Sequence, residues 1–391
     1  MKNRLLALIF AFLVVNSVNA QKCGTYDGYL EKQVQNFPDF YQKLESQNQK
    51  LKDENIKALK SISAFKTENG KKIIPVVVHN IYNGTNGYLS DAVIQTAIDV
   101  LNRNINGQSQ QFLGEDQFSN ALTPDIFASV RGVANIEFRL AKITPTCDTC
   151  MPESTTGIVR VNTEITSLGS SVPDPVKALS YWNSYQYLNI WTVPAFGGDA
   201  GNGLQGYAQF PSPNPFNGDF MSTDGIVLKS VLLESTSNST LTHEVGHWLG
   251  LRHIWGDSEC GDDGIYDTPT QRYDNNGASL NPPVPAGHPF GSASNFPYHV
   301  GLVNPNTGLV PWGCLGDSLN PAGEMFMNYM SYTESPTTMF SAGQIEVVNI
   351  TLEGGVDETT GITGIGYREY MWSPENNLAT GTDGYFNLND T

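Results

Sequence analysis

The sequence has little positive charge and no long apolar run after its first twenty residues. It contains 22 Lys and Arg residues against 39 Asp and Glu residues, which gives a formal net charge of −17. Because so acidic a surface repels phosphate groups, we expect neither nucleic acid nor an anionic membrane as a partner. No later stretch reaches the roughly 20 apolar residues that a membrane-spanning helix needs, so no transmembrane anchor is expected.

The N-terminus has the pattern of a secretory signal peptide. Two basic residues within the first four precede an apolar run from Leu5 to Val15, and small residues up to Ala20 offer a cleavage site. We predict a signal peptide over residues 1–20 and a secreted, extracellular protein. Cys23 lies close to this cleavage site, but the residues before it lack the pattern of a lipoprotein signal, so no lipid anchor is expected.

Basic charge is concentrated in the N-terminal segment, and the rest of the chain is strongly acidic. Residues 1–72 hold 12 of the 22 basic residues but only 7 of the 39 acidic residues. The polar stretch 21–70 has helical spacing and few residues that would form a core. It is either a solvated lysine-rich helix or a segment that docks on the acidic body by charge complementarity and is removed later.

Regular secondary structure becomes predictable near residue 71. The β-branched run Ile73–Val78 predicts a buried strand, and Ser90 is expected to cap a helix over 91–105. Residues 256–322 are rich in Gly, Pro, Asn and Asp, which predicts irregular backbone. Further strands are predicted at 135–141, 157–161, 187–194 and 225–233. This order of strands and helices indicates a mixed α/β domain.

Half of the six histidines lie in one short stretch, HEVGHWLGLRH at 243–253. His243 and His247 are four residues apart, so a helix presents both imidazoles on one face, where they can share a metal ion. Gly250 allows the helix to end in a left-handed residue, after which the chain can turn back and present His253. Three nitrogen ligands leave the fourth tetrahedral position of a zinc ion open for water, which is typical of a catalytic site.

Glu244 lies between these histidines and supplies the base that hydrolysis needs. Zinc lowers the pKa of its bound water to about 7, and Glu244 can take the proton and later pass it to a leaving amine. The pattern therefore predicts a zinc-dependent endopeptidase that acts on proteins or peptides. The alternatives are a zinc-stabilised surface or adhesion protein without turnover, which would need no base, and a processing peptidase for one partner protein.

The sequence resembles the metzincin metallopeptidases and, within them, bacterial members of the pappalysin family. FMNYMSY at 326–332 resembles the turn that lies beneath the metal in metzincins, which assigns Met330 to that turn and Tyr332 to stabilisation of the oxyanion. Other landmarks of the family follow in family order over 73–345: IPVVVHNIY, YLNIWTVP, GLQGYAQFP, DGIVL, HIWGD, DTPTQ and MFSAGQ.

This resemblance implies a fold and a domain organisation. We expect an α/β (α+β) metzincin-type catalytic domain over 71–352, in which a twisted mixed sheet and two long helices form an N-terminal subdomain. An irregular C-terminal subdomain follows Gly250, and the active-site cleft lies between the two. The stretch 203–211 would supply the strand along which an extended substrate pairs by its main chain. Residues 353–391 form a C-terminal extension of unassigned role, and we expect a monomer.

Five cysteines in an exported protein leave one unpaired. The family pattern supports a disulfide between Cys260 and Cys314, and a local bridge is predicted between Cys147 and Cys150. Cys23 then remains to occupy the open zinc position, as in the cysteine switch of latent family members, and the polar stretch that contains it becomes a prosegment. A disulfide from Cys23 to Cys147 or Cys150 is the alternative.

The acidic loop DSECGDDGIYDTP at 257–269 is a candidate calcium site, because calcium prefers oxygen ligands. The resemblance suggests Asp263 and Thr268 as ligands, with Asp267 as a further candidate. A solvated acidic loop without a bound ion is the alternative.

The residues after the Met330 turn bear on substrate preference. Bacterial relatives that cleave before Arg or Lys have an acidic residue a few positions beyond this turn, whereas this chain has Thr337 and Thr338 there. Glu334 is a nearby carboxylate that would compensate for the missing acid. A preference for Arg or Lys after the cut therefore stays open.

Overall fold

The structure is a computed structural model, and it describes residues 22–23, 70–109, 125–145, 152–164, 167–168, 175–197, 203–211, 223–271, 324–333, 337–353 and 368–384. The predicted signal peptide, most of the predicted prosegment, and Cys147, Cys150 and Cys314 lie outside these residues. In chain order the strands are β1 (Lys22–Cys23), β2 (Lys72–Tyr82), β3 (Ile136–Leu140), β4 (Ile158–Asn162), β5 (Ser167–Leu168), β6 (Leu188–Val193), β7 (Ala195–Phe196), β8 (Leu204–Ala208) and β9 (Ile226–Lys229). The helices are α1 (Asp91–Ile105), α2 (Asp125–Ala128), α3 (Pro175–Leu179), α4 (Thr240–Trp248), α5 (Ala342–Glu353) and α6 (Pro374–Thr380).

A seven-stranded mixed sheet is built around the long strand β2. One edge of β2 pairs in parallel with β6, and the other pairs in parallel with β3 and then with β4. The first ten residues of β2 are buried, as expected for a parallel strand that is covered on both faces. The buried strand predicted from Ile73–Val78 is therefore confirmed.

The other half of the sheet ends in the strands that border the site. β9 pairs in parallel with β6, and β8 pairs with β9 as the antiparallel strand of the sheet. The outer edge of β8 pairs in parallel with β1. The strand order is β1-β8-β9-β6-β2-β3, with β4 beside β2, whereas β5 and β7 pair separately.

Two helices pack side by side on one face of this sheet. Ser90 caps α1, because its hydroxyl accepts a hydrogen bond from the backbone N–H of Val93 at 3.3 Å, and the predicted bounds 91–105 are confirmed. The amide of Asn104 on α1 donates to the hydroxyl of Thr242 on α4 at 2.9 Å. The mixed sheet with helices on its face confirms the predicted fold class.

A separate apolar cluster covers the opposite face of the sheet. Ile190 points into the main core whereas its neighbour Trp191 joins the second cluster, and Ile226 and Val227 divide in the same way. This alternation follows from the period of two in a strand. The two faces are therefore both buried, and the sheet is the centre of the fold.

The strand predicted over 225–233 is too long, because β9 ends at Lys229 and the chain continues as a 3₁₀-helix over Ser230–Glu234. Lys229 pairs with Val193, the last residue of β6, and Pro194 follows it. The partner strand thus ends at this point, and the apolar run has no further ladder to join. Pro194 also lacks the backbone N–H that a ladder would need.

The part of the chain after α4 is mostly irregular where it is described, but it contains two helices that were not predicted from the sequence, α5 and α6. Residues 368–384, here called the C-terminal strap, hold α6 and place Met371 and Trp372 in the main hydrophobic core. The predicted C-terminal extension therefore completes the core. None of the helices in the described parts is long and apolar enough to cross a membrane.

Candidate active site

The histidine motif lies on α4 and on the turn that follows it. All nine residues of α4 are buried. The helix ends at Trp248, and Gly250 has a φ of +94°, which a residue without Cβ adopts readily. The N–H of Leu251 bonds back to the carbonyl of Gly246 at 2.9 Å. This turn brings His253 back towards the helix.

Three imidazole nitrogens converge on one point. Nε2 of His247 lies 3.1 Å from Nε2 of His243 and 3.2 Å from Nε2 of His253. Zinc–nitrogen bonds of about 2.0–2.1 Å at tetrahedral angles would separate two such nitrogens by about 3.3 Å. Within the described parts of the chain, these histidines form the group of at least three His, Cys, Asp or Glu donors that could hold a metal ion.

The opposite ring nitrogens of two of these histidines are fixed by backbone carbonyls. Nδ1 of His243 donates to the carbonyl of Tyr329 at 2.6 Å. Nδ1 of His247 donates to the carbonyl of Leu251 at 2.7 Å. Because a carbonyl can only accept, the proton lies on Nδ1 and the lone pair of each Nε2 points to the common centre. Such a set of lone pairs fits a metal cation.

Burial keeps these two histidines in the neutral form that binds metal. Desolvation, together with the nearby His253, lowers the pKa of His243 to about 3. Desolvation and the two neighbouring histidines hold the pKa of His247 well below its usual value. The imidazoles are therefore ready to act as ligands without losing a proton first.

A carboxylate holds the third histidine. Nδ1 of His253 lies 2.6 Å from Oδ1 of Asp257, four residues later, and the His253 ring stacks on Trp255 at a centroid distance of 4.3 Å. Asp257 has a φ of +58°, a conformation that Asp tolerates better than most residues. Neither Asp257 nor Trp255 was predicted as a site residue, although both lie in the HIWGD stretch that begins at the third histidine.

Glu244 is fully buried and faces the strand β8. A Cβ atom at Gly206 would lie 3.0 Å from Oε1 of Glu244 and 3.1 Å from the carbonyl oxygen of Val227. The backbone of β8 thus approaches the carboxylate as closely as a glycine allows. The candidate base therefore borders the strand along which the sequence predicts substrate pairing.

The predicted turn at Met330 lies beside the same helix. The Met330 side chain is buried against Gly246, where a Cβ atom would collide with its sulfur. The ring of Tyr332 lies 5.7 Å from the His243 ring and 4.8 Å from the His253 ring, measured between centroids. The two sequence motifs, more than 70 residues apart in the chain, are therefore neighbours in space.

Two of the three predicted calcium residues form one buried hydrogen-bonded unit. Oδ1 of Asp263 accepts hydrogen bonds from the hydroxyl of Thr268 at 2.7 Å and from the N–H of Ile265 at 3.0 Å. Burial, together with the charges of Asp262 and Asp267, raises the pKa of Asp263 to about 8.

Asp267 holds the start of α5. Its carboxylate accepts hydrogen bonds from the hydroxyl of Ser341 at 2.6 Å and from the N–H of Gly343 at 2.8 Å. Burial raises the pKa of Asp267. A negative charge at a helix N-terminus is stabilising, so this residue links the acidic loop to α5.

The described residues locate two of the five cysteines. Cys260 is disulfide-bonded, and because Cys314, Cys147 and Cys150 lie outside the described residues, its pairing with Cys314 stays a prediction, as does the bridge between Cys147 and Cys150. The backbone of Cys23 lies in β1, opposite Gly206 of β8.

Thr337 and Thr338, which occupy the place of the family's acidic residue, are both buried. The hydroxyl of Thr337 shares a hydrogen bond with the hydroxyl of Ser239, which immediately precedes α4. Glu334 lies outside the described residues.

The donor set and the fold together are those of a zinc metallopeptidase, and comparison with known proteins agrees. Residues 173–353 match the model of peptidase family M43, pregnancy-associated plasma protein-A. An extracellular metalloprotease of Arthroderma otae is 27% identical over 206 residues, or 51% of this chain and 59% of that protein. One of Colletotrichum graminicola is 38% identical over 94 residues, or 22% of this chain and 32% of that protein. The matches thus span less than two thirds of these relatives.

Solved structures match over more of the chain. Mature mirolysin of Tannerella forsythia in complex with a cleaved peptide is 30% identical, with a TM-score of 0.55 over 81% of this chain and 99% of mirolysin. A promirolysin mutant of the same organism is 28% identical, with a TM-score of 0.61 over 92% of this chain and 99% of promirolysin. This chain belongs to the pappalysin family of metzincin metallopeptidases.

Proposed function

We propose that this protein is a secreted zinc endopeptidase that hydrolyses peptide bonds in proteins. The observation that carries the proposal is the convergence of three Nε2 lone pairs beside a buried glutamate on the same helix. The names of the curated relatives, extracellular metalloproteases, support both the activity and the location. The peptide complex of mirolysin supports peptides as substrates.

The residues of the site divide the chemistry among them. His243, His247 and His253 would hold the zinc ion, which when bound supplies Lewis acidity that acidifies water and polarises the scissile carbonyl. Glu244 takes the proton of the attacking water and passes it to the leaving amine. Tyr332, whose ring borders two of the histidines, donates its hydroxyl to the developing oxyanion.

The strand β8 would bind the substrate main chain. It is the second strand from the end of the sheet and lies next to Glu244, and its outer edge is paired with β1 of the proposed prosegment. Once the prosegment is removed, a substrate segment that adds to this edge would place a peptide bond near the base. The acidic body would draw basic substrates towards this edge over longer range. The uncharged hydroxyl groups of Thr337 and Thr338 give no specific partner for Arg or Lys after the cut, so this preference rests on long-range charge alone or on Glu334.

Latency would arise from Cys23. The backbone of Cys23 pairs with the outer edge of β8 opposite Gly206, where a Cβ atom would lie 3.0 Å from Oε1 of Glu244, and this pairing supports a role for Cys23 at the zinc site. The likeness to promirolysin extends over more of this chain than the likeness to mature mirolysin, which supports a prosegment over 21–70. Thiolate is a good zinc ligand and would fill the open position. Titration of thiols in the unprocessed chain tests this, since the proposal fails if Cys23 is found in a disulfide.

The acidic loop would bind a structural calcium ion through Asp263 and Thr268. Burial and the charges of Asp262 and Asp267 raise the pKa of Asp263, and a bound cation would stabilise the charged form of this carboxylate. Calcium titration of the zinc-loaded protein, followed by its thermal midpoint, is the test. An unchanged midpoint in wild type, or an equal rise in wild type and Asp263→Asn, would remove the calcium ion from the proposal.

The experiment that tests the activity is a mass-spectrometric map of cleavage sites in a complex peptide mixture. The processed wild type is compared with Glu244→Ala, which keeps all three histidines and should retain zinc. Cleavage by the wild type alone supports the peptidase. If both proteins hold zinc and neither cuts, the activity proposal fails and a zinc-stabilised binding protein takes its place; a single target site would instead indicate a processing peptidase.

A further inference from the structure

Arg368 of the C-terminal strap carries a positive charge into the protein interior. Its side chain is 5% exposed and forms a two-pronged ion pair with Asp224, which is equally buried. Nη1 of Arg368 lies 2.6 Å from Oδ2 of Asp224, and Nη2 lies 3.0 Å from Oδ1. Such a planar pair fixes both side chains in direction as well as position.

The same guanidinium holds the end of the zinc helix. Nε of Arg368 donates to the carbonyl of Trp248 at 3.3 Å, and the guanidinium carbon lies 3.7 Å above the Trp248 ring. Trp248 is the last residue of α4 and follows His247 directly. The last carbonyls of a helix have no partner within the helix, and a cation there also complements the helix dipole. Arg368 therefore satisfies a group that the helix itself leaves open.

Asp224 connects this helix end to the sheet. It precedes Gly225, whose carbonyl accepts a hydrogen bond from Gln209 directly after β8, and β9 starts at Ile226. Arg368 thus bridges the strand pair that borders Glu244 and the point where α4 turns to present His253. His247 Nδ1 bonds to Leu251 within this same turn.

We propose that Arg368 is a positioning residue for the zinc site, and that the C-terminal strap is part of the active-site machinery. The inference rests on the proposed zinc-peptidase function, but it concerns the geometry of the ligands. Without the guanidinium, the apolar face of α4 still packs on the sheet, but the C-terminal turn of α4 is free to shift. His247 and His253 then lose part of their preset alignment. Loss of groups that orient metal ligands lowers metal affinity about 10- to 100-fold.

Zinc affinity of the full chain, measured by competition with a chromophoric chelator well below the thermal midpoint of each variant, tests the proposal. Arg368→Met keeps the length of the side chain and removes its donors and charge. Arg139→Met is the matched control, because Arg139 also ties the strap through the carbonyl of Thr382 at 2.7 Å, but from β3, away from α4. We expect about 10-fold weaker zinc binding or more for Arg368→Met, and less than about 3-fold for Arg139→Met.

The visible spectrum of the cobalt-substituted protein reports the coordination geometry of the metal. If Arg368 only stabilised the fold, its substitution would leave this spectrum unchanged. Arg368→Met should shift the ligand-field bands, and Arg368→Lys, which keeps the charge but loses the planar fork, should fall between Arg368→Met and wild type. Equal zinc affinity and equal spectra in wild type and Arg368→Met would overturn the proposal, whatever the thermal midpoint. If Arg368→Met does not fold, Arg368→Lys and Asp224→Asn decide by the same comparison.

These outcomes are distinguishable from a failure of the proposed activity. A wild type that binds zinc but cuts no peptide contradicts the peptidase, while the affinity of the Arg368 variants still tests the positioning role. A wild type that binds no zinc contradicts both.

Discussion

Asp257 holds the distal nitrogen of His253, and its removal should weaken zinc binding by a predictable amount. Partners of metal-bound histidines contribute about 10- to 100-fold to metal affinity, which corresponds to about 1.4–2.7 kcal/mol. The Asp257 side chain is 24% exposed, so water screens part of its charge, and we expect the lower end of this range.

The φ of +58° at Asp257 decides which substitutions are informative. Asp257→Gly removes the carboxylate without backbone strain and should weaken zinc binding about 10-fold. Asp257→Asn keeps an acceptor oxygen and tolerates the left-handed conformation. Because a hydrogen bond to a charged group is about twice as strong as a neutral one, we expect about a 3-fold loss. Asp257→Ala would add backbone strain at this positive φ, so a loss of zinc affinity could not be assigned to the missing carboxylate alone.

Zinc affinity is measured by chelator competition, as for the strap. Glu259→Gln is the control, because Glu259 is an exposed carboxylate in the same loop and its loss should leave the affinity unchanged. Equal zinc affinity in Asp257→Gly and wild type would refute the reasoning, and so would a larger loss in Asp257→Asn than in Asp257→Gly.

Two further predictions concern a buried histidine and the strand β8. His79 is fully buried and bonds to Asn189, and burial lowers its pKa to about 4 from an ordinary value of 6.5. The unfolded chain therefore binds this proton more readily, so the free energy of unfolding should fall by up to about 3 kcal/mol as the pH drops from 6.5 towards 4. In urea titrations of zinc-loaded protein between pH 5 and 7, His79→Gln should show a smaller pH dependence than wild type; parallel curves would contradict the assignment. Gly206→Ala places a Cβ atom 3.0 Å from Oε1 of Glu244 and should lower kcat/KM on the order of 10- to 100-fold with zinc content unchanged. Unchanged kinetics would show that β8 does not set the position of the base.

Structural features that depend only on residues close together in the chain were predictable from the sequence. Ser90 and the apolar spacing after it define α1 to the residue, because cap and periodicity are both local. The zinc motif is equally local, since helix geometry alone brings His243 and His247 together. The strand at β9 was predicted too long, because its end depends on where the partner strand β6 stops.

Features that depend on distant partners were missed. α5 buries the polar residues Gln344 and Thr351 among its apolar ones, which obscures its apolar spacing, and its start is held by Asp267, about 75 residues earlier. No local pattern reveals such a contact. The strap helix α6 did leave a local signal that went unused: Ser373 as cap, Pro374 in the first turn, and Gly381 with a φ of +65° as the stop. Arg368 and Asp224 are 144 residues apart, and their pairing appears only in the fold.

The converging Nε2 atoms have a consequence for folding itself. In the unfolded chain each imidazole is hydrated on its own, whereas folding brings three lone pairs together at separations of 3.1 and 3.2 Å. The metal therefore binds the folded state in preference, and its concentration enters the stability: free zinc at 100 times its dissociation constant adds about 2.7 kcal/mol. The carbonyl of Tyr329, which accepts the hydrogen bond from Nδ1 of His243, precedes Met330 directly. A bound zinc ion would therefore also link the Met330 turn to α4. A higher concentration of free zinc where the chain folds would therefore favour the native state.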